Sequence, residues 1–199
     1  MKYLIFFLLF TNTTYNVEAI LKKQEFEKAY FASGCFWCVE SIYENLKGVT
    51  EVNSGYSGGF VQNPTYYQVI SGKTGHAEAV EVIYDPKIID FKTLVKVFFG
   101  SHDPSTLNRQ GPDVGTHYRS IAFYSSVKEK EIIQFEIKKL LNEKKFSKIT
   151  TEVLQFKKFY IAEGYHQDYK KKNPKDLYIR RVSNPRISKF KMDFKEIIK

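Results

Sequence analysis

Two cysteines and the only tryptophan of the 199-residue chain fall within Gly34-Cys35-Phe36-Trp37-Cys38-Val39-Glu40. A Cys-x-x-Cys pair is too little for a disulfide framework; it suits a dithiol redox couple or half of a metal site. The run Ala29-Tyr30-Phe31-Ala32 before it has strand character, and Val39, Ile42, Tyr43 and Leu46 after it recur at helical spacing up to Gly48. Cys35 is therefore expected where a strand turns into a helix. Unpaired amides and the positive helix end favour an anion there and lower a thiol pKa. As a dithiol, Cys35 attacks first and Cys38 resolves the oxidised product. Helical positions three apart lie about 5–6 Å from each other between Cβ atoms, so a disulfide requires local unwinding. The bland alternative is two buried, unreactive thiols. Phe36 and Trp37 offer a dry aromatic wall for an apolar group.

Glu78 opens an alternating stretch to Tyr84, with Glu78, Val80, Val82 and Tyr84 on one face and Ala77, Ala79, Glu81 and Ile83 on the other. A carboxyl in the core-facing register is costly to ionise, and burial keeps its proton available to a general acid at neutral pH. A strand-end glutamate without a role fits the same pattern. His76-x-Glu78 beside Cys-x-x-Cys also admits a zinc site of the deaminase kind, but here the cysteines come first and no proline precedes Cys35. His102, His117 and His166 show no ligand spacing and suit ordinary hydrogen bonding. Asp113 and Tyr118 lie in a polar stretch from Asn108 to Arg119, inside a connection (Ser101 to Ser120) long enough to suggest a function.

These residues need a scaffold. Strands are expected over 29–32, 50–54, 78–84, 121–124 and 150–156. Asp90 caps a helix with Phe91, Leu94, Val95 and Phe98 inward, and Ser126 to Glu129 is a capping box opening another. Short, varied connections favour an α+β fold, a two-layer sandwich with helices on one face of the sheet, over a doubly wound one. Apolar content of 43% and aromatic content of 16% are those of a globular chain.

Met1 to Ala19 reads as a candidate signal peptide: Lys2, an apolar run to Phe10, then Val17-Glu18-Ala19 as a cleavage site. The run is too short to span a membrane. With a functioning leader the protein is exported, periplasmic or secreted; with an uncleaved one it is membrane-anchored, and without one it is cytoplasmic. The net charge of +9 is concentrated at the other end, where residues 170–199 hold 11 Lys or Arg against 3 Asp or Glu. That segment is expected to be an irregular basic tail from residue 175 onward, a solvated loop or an arm for an acidic partner. Nothing argues against a monomer, and no specific nucleic-acid site is evident.

Taken together, Gly34 to Trp37, Gly55-Tyr56-Ser57-Gly58-Gly59, Asn63-Pro64-Thr65-Tyr66, Gly75-His76-Ala77-Glu78-Ala79-Val80, His102-Asp103-Pro104 and the Arg109–Arg119 loop resemble the peptide methionine sulfoxide reductase A family. Ala162 to Tyr169 extends the match, which covers residues 28–174 within a catalytic domain of residues 20–174. The resemblance implies a ferredoxin-like α/β core with much coil and no bound cofactor. It implies reduction of the S epimer of methionine sulfoxide, free or in proteins, as repair of oxidative damage. Cys35 matches the nucleophile and Glu78 the acid. Tyr66 and Tyr118 match hydrogen-bonding tyrosines, Asp113 a supporting carboxylate, and Phe36 and Trp37 the methyl pocket. It implies a sulfenic acid on Cys35 and recycling by an external dithiol, thioredoxin, or dithiothreitol in vitro. Many members carry recycling cysteines near the C-terminus. This chain has none after Cys38, so Cys38 resolves or the reductant attacks the sulfenic acid directly. Rivals are a protein disulfide oxidoreductase, and a binder acting through its basic tail, whose removal after Pro174 would spare the chemistry.

Overall fold

A computed structural model describes residues 25–199; the candidate signal peptide lies outside them. The strands are β1 (Glu27–Ser33), β2 (Val49–Ser57), β3 (Ala77–Tyr84), a short hairpin β4 (Arg109–Gln110) and β5 (Asp113–Val114), β6 (Ser120–Tyr124), β7 (Glu152–Gln155) and β8 (Phe159–Ile161). The helices are α1 (Phe36–Glu44), α2 (Tyr66–Ile70), α3 (Phe91–Gly100), α4 (Val127–Asn142), α5 (Tyr169–Lys172) and α6 (Asn184–Asp193). One six-stranded sheet runs β7-β6-β1-β3-β2-β8. Its inner strands, β6-β1-β3-β2, are antiparallel throughout. With α1 between β1 and β2, and α3 between β3 and β6, they make the β-α-β-β-α-β core of a ferredoxin-like fold. β7 adds in parallel to β6, and β8 antiparallel to β2.

One sheet face carries Phe31, Val80, Val82 and Tyr84, buried with Val39, Ile42 and Tyr43 of α1 and Leu94, Val95 and Phe98 of α3. The other face carries Tyr30, Ala32, Ala77, Ala79, Ile121 and Phe123, closed by Phe156 just after β7 and Phe159 at the start of β8. Phe156 stacks on Tyr30 at 3.7 Å between centroids. β3 is thus buried on both faces. Its off-face Glu81 is held by the Tyr30 hydroxyl at 2.9 Å and Lys28 Nζ at 3.0 Å. The caps follow the sequence: Asp90 accepts from the Thr93 amide, and Ser126 from that of Glu129.

The C-terminal segment departs from expectation. Residues 175–199 are not an irregular tail: a π-helical turn, Ile179–Ser183, runs into α6, and a 3-10 turn, Lys195–Ile197, follows. Ile179, Ile187 and Phe190 are buried in it, and Leu46 pairs with Ile198 across an antiparallel bridge. The apolar stripe 179, 187, 190, 194 has helical spacing, but the interleaved lysines and Pro185 hide it. Pro185 sits in the first turn of α6, where its missing N–H costs nothing. Removing everything after Pro174 would therefore strip buried surface from the core. Phe190→Ala is expected to lower the unfolding free energy by about 3–5 kcal/mol. Met192→Ala, at a 63% exposed site on the same helix, should cost no more than about 0.5 kcal/mol. Urea unfolding followed by circular dichroism measures both, and equal small losses would mean the segment is not packed.

Candidate active site

Cys35 is the residue capping the N-terminus of α1, with extended backbone (ψ 121), and Cys38 is its third helical residue. No side chain caps this helix start, but Cys35 is not itself helical, so the unwinding expected for two helical positions is not required there, and the two thiols hydrogen-bond each other. Both thiols are free and buried. The expected lowering of the Cys35 thiol does not appear in this closed state. Burial comes first, then Cys38 and Glu78, and together they push it well above the ordinary thiol value; the Tyr178 hydroxyl acts the other way. Cys38 moves in the opposite direction. The hydrogen bond from Cys35 lowers it against burial, aided by the Arg186 guanidinium and the Ser183 and Tyr178 hydroxyls.

Glu78 stands on central strand β3, opposite Tyr56 of β2. Its Oε2 accepts the Phe36 amide at 3.0 Å, so a carboxyl 2% exposed is tied to the first residue of α1. Burial pushes its pKa up to about 8, opposed by the Phe36 amide and reinforced by Asp113 and Cys38. Near neutrality Glu78 therefore carries a proton.

Phe36 packs with Tyr56 at 6.0 Å, Trp37 at 6.3 Å, Tyr66 at 6.5 Å and His166 at 4.9 Å between ring centroids. Trp37 stacks on Tyr169 at 3.6 Å and donates its indole N–H to His166 Nδ1 at 3.2 Å. Tyr66 is set by Glu163, whose carboxylate accepts the Tyr66 amide at 2.9 Å and the Tyr56 hydroxyl at 2.8 Å. Tyr118 closes the 3-10 turn Thr116–Tyr118 and packs on the same apolar cluster as Phe36. Burial, then the Glu78 carboxylate, pushes Tyr66 up to about 12 and Tyr118 higher still, so both keep their protons and can donate. Asp113, raised by burial, accepts from the Tyr178 hydroxyl at 2.6 Å.

Several residues here were missed or left without a role in the sequence reading. Tyr178 reaches back from the C-terminal segment to Asp113 and stands 4.0 Å from Cys38 Sγ. Arg186 donates to the Ser33 and Ser101 carbonyls at 3.0 and 2.8 Å, which fixes its guanidinium beside the turn that carries Cys35. Glu163 and His166 fell inside the Ala162–Tyr169 motif without a role. Glu40, pushed up to about 7 by burial, accepts the Asp168 amide at 3.1 Å and holds that motif against α1. His76 is spent on a loop: Nδ1 accepts the Gly59 amide and Nε2 faces the Val61 carbonyl. His102 bridges the Phe98 carbonyl and Ser120 hydroxyl, and burial pushes it down to about 3.

A buried thiol pair at a helix start, a protonated carboxyl and two phenol donors around an aromatic wall define a thiol-dependent reductase of a polar, oxygen-bearing group. The comparisons narrow the class. A family model described as peptide methionine sulfoxide reductase matches residues 27–197, and the chain belongs to that family. It is 46% identical to the MsrA peptide methionine sulfoxide reductase of Haloquadratum walsbyi, over 85% of this chain and 97% of that protein. It is 44% identical to that of Pasteurella multocida, over 87% and 99%. Among solved structures, reduced Mxr1 of Saccharomyces cerevisiae superposes with a TM-score of 0.72 at 34% identity, covering 77% of this chain and 88% of that one. Methionine sulfoxide reductase A of Corynebacterium diphtheriae gives 0.69 at 35%, covering 76% and 77%. The chain is an enzyme that reduces methionine sulfoxide.

The Glu78 shift gives a prediction with a fixed sign. A carboxyl raised from 4.5 to about 8 on folding contributes stability that is complete below the unfolded value and lost as pH rises towards 8. Glu78→Gln keeps an acceptor for the Phe36 amide but cannot ionise. Its stability relative to wild type should therefore climb between pH 5 and pH 8, by a few kcal/mol in order of magnitude, while turnover falls by about 10²–10⁴. Thermal unfolding at the two pH values, with parallel turnover assays, tests both. A stability difference independent of pH would show that Glu78 is already ionised in the fold.

Proposed function

We propose that Cys35 attacks the sulfur of the S epimer of methionine sulfoxide while Glu78 protonates the sulfoxide oxygen. Tyr66 and Tyr118 donate hydrogen bonds to that oxygen, and Asp113 supports the site. Phe36 and Trp37 hold the terminal methyl. The sulfur–sulfur bond formed in the attack and the sulfur–oxygen bond both break as the protonated oxygen passes to Cys35, and the Cys35 thiol proton replaces the one Glu78 gave, leaving methionine and a Cys35 sulfenic acid. The Cys38 thiol then condenses with it, releasing water and forming a Cys35–Cys38 disulfide, which an external dithiol reduces. The single observation that carries this is the Glu78 carboxyl, 2% exposed and bound to the Phe36 amide one residue from Cys35, where burial pushes its pKa up to about 8. The positions of the two cysteines at the start of α1, with no third cysteine in the chain, support Cys38 as the resolving thiol. Thioredoxin as reductant is supported by Mxr1, which has also been solved in complex with Trx2.

The test supplies separated S and R sulfoxides of a blocked methionine. With dithiothreitol, wild type should consume only the S epimer, and Cys35→Ser should lose at least about 10³ in rate. Cys38→Ser should still release one methionine per chain in a single turnover but lose steady-state recycling by thioredoxin. A Cys38→Ser enzyme that thioredoxin recycles at the wild-type rate would mean the reductant attacks the sulfenic acid directly. Wild-type inertness toward both epimers would sink the assignment.

A further inference from the structure

We propose that the arm at residues 175–181 is the docking surface for the protein dithiol that recycles the enzyme, and that it recognises an acidic face on that partner. This rests on the proposed recycling through an external dithiol. In the middle of the arm stands Tyr178, whose hydroxyl lies 4.0 Å from Cys38 Sγ and 2.6 Å from Asp113. The residue beside it, Leu177, is 61% exposed, a large apolar side chain turned to solvent at the edge of the site. Lys175, Arg180 and Arg181 around it are all exposed. Of the neighbouring cations, Lys171 pairs with Glu44 and Asp168, Lys172 with Asp168 and Lys189 with Asp193, while Lys170, Lys191 and Lys195 are unpaired among the described residues; what sets Lys175, Arg180 and Arg181 apart is their place around Leu177 and Tyr178. Among the described residues, Lys175, Arg180 and Arg181 have no ion-pair partner.

An apolar anchor ringed by unsatisfied cations has the composition of a protein-binding patch, with arginine enriched and a charged rim that steers association. The chemistry of the site says which partner belongs there. Every turnover ends with a disulfide beneath this arm, and its reduction requires a thiolate to reach Cys38 Sγ. That attack forms a mixed disulfide and frees the Cys35 thiolate; the partner's second thiol then closes the partner's own disulfide and releases Cys38. Tyr178 of the arm reaches the thiols and packs edge-on against Trp37 at 5.9 Å, while the rest of the aromatic wall, Phe36, Tyr66 and His166, packs together away from it. A surface at the thiol where electrons enter fits the reductant better than the oxidised peptide.

The full chain is assayed with thioredoxin, thioredoxin reductase and NADPH as recycling system, and separately with dithiothreitol. The expected result is a wild-type KM for thioredoxin that rises steeply between 50 and 300 mM NaCl. The combined variant Lys175→Glu, Arg180→Glu, Arg181→Glu should raise that KM by about tenfold or more at low salt and flatten the salt dependence. Leu177→Ser should raise it severalfold, and dithiothreitol-supported turnover should stay within about twofold in both. A glutamine version of the triple variant guards against misfolding, with circular dichroism as the check. An unchanged thioredoxin KM would overturn the proposal, as would equal losses with both reductants, or a rise confined to the KM for an oxidised peptide. Cys38→Ser in the same assays separates the two ideas: normal recycling of that variant refutes Cys38 as resolving thiol, while salt dependence and the triple variant still report on docking.

Discussion

A buried carboxyl on a central strand, bonded to the first amide of a helix, sets the geometry of the rest. The Glu78–Phe36 bond spans from the middle of the sheet to the start of α1. A one-residue slip of β3 would turn Glu78 to the opposite face. Pairing on both sides prevents that, with Phe31 against Val80 and Tyr56 against Glu78. Tyr56 in turn passes the register outward: its hydroxyl meets Glu163, and the same carboxylate receives the Tyr66 amide. A phenol on a five-residue helix after a glycine-rich turn is thereby placed by the pairing of two strands. Glu78, the turn that carries Cys35, and Tyr66 are fixed by a single register.

The thiol chemistry turns on a competition between two effects that act on Cys35. A helix N-terminus is worth about 0.3–1 kcal/mol to an anion, and up to ~2 in favourable burial. Full desolvation moves a titratable group by several pKa units, at about 1.4 kcal/mol each. Burial therefore wins, and Cys35 rests as a thiol. An ionised Glu78 raises Cys35 further, and the burial that keeps the Glu78 proton on weakens that repulsion. Cys38 is lowered instead, by the hydrogen bond from Cys35 and then by the Arg186 guanidinium. A nucleophile that stays protonated until substrate enters is also shielded from stray oxidation, which follows thiolate character and exposure.

Much of this was legible in the sequence because the signals are local. Cys35 at a strand-to-helix turn, Glu78 in a core-facing register, and the Asp90 and Ser126 caps each depend on a few neighbouring residues. What the sequence did not yield depends on long-range contact. Nothing near Tyr178 or Arg186 announces a role; each acquires one only when the C-terminal segment folds back on Asp113, Ser33 and Ser101. The helical stripe 179–194 was obscured by lysines that occupy its exposed side and by Pro185, a breaker that the first turn tolerates. The Cys35 pKa went the wrong way because the helix end can be read from sequence and full burial cannot.

The segment that hid best also bears on how the cycle closes. In a scaffold whose C-terminal stretch returns to the nucleophile, a cysteine on that stretch would be a natural resolving thiol. Here the returning segment brings Tyr178, Ile179 and Arg186, and no cysteine. On the proposed relay, the second thiol is the third residue of α1, hydrogen-bonded to Cys35 without any rearrangement of the arm. The arm is then free to serve other ends. Arg186 supplies a positive charge beside Cys38, and Tyr178 supplies a hydroxyl to the thiols and to Asp113. The same Tyr178 lies against Cys38 in the reduced enzyme, so a foothold on the residues that flank it would bring the partner's thiolate to the sulfur through which, on the proposed relay, electrons enter.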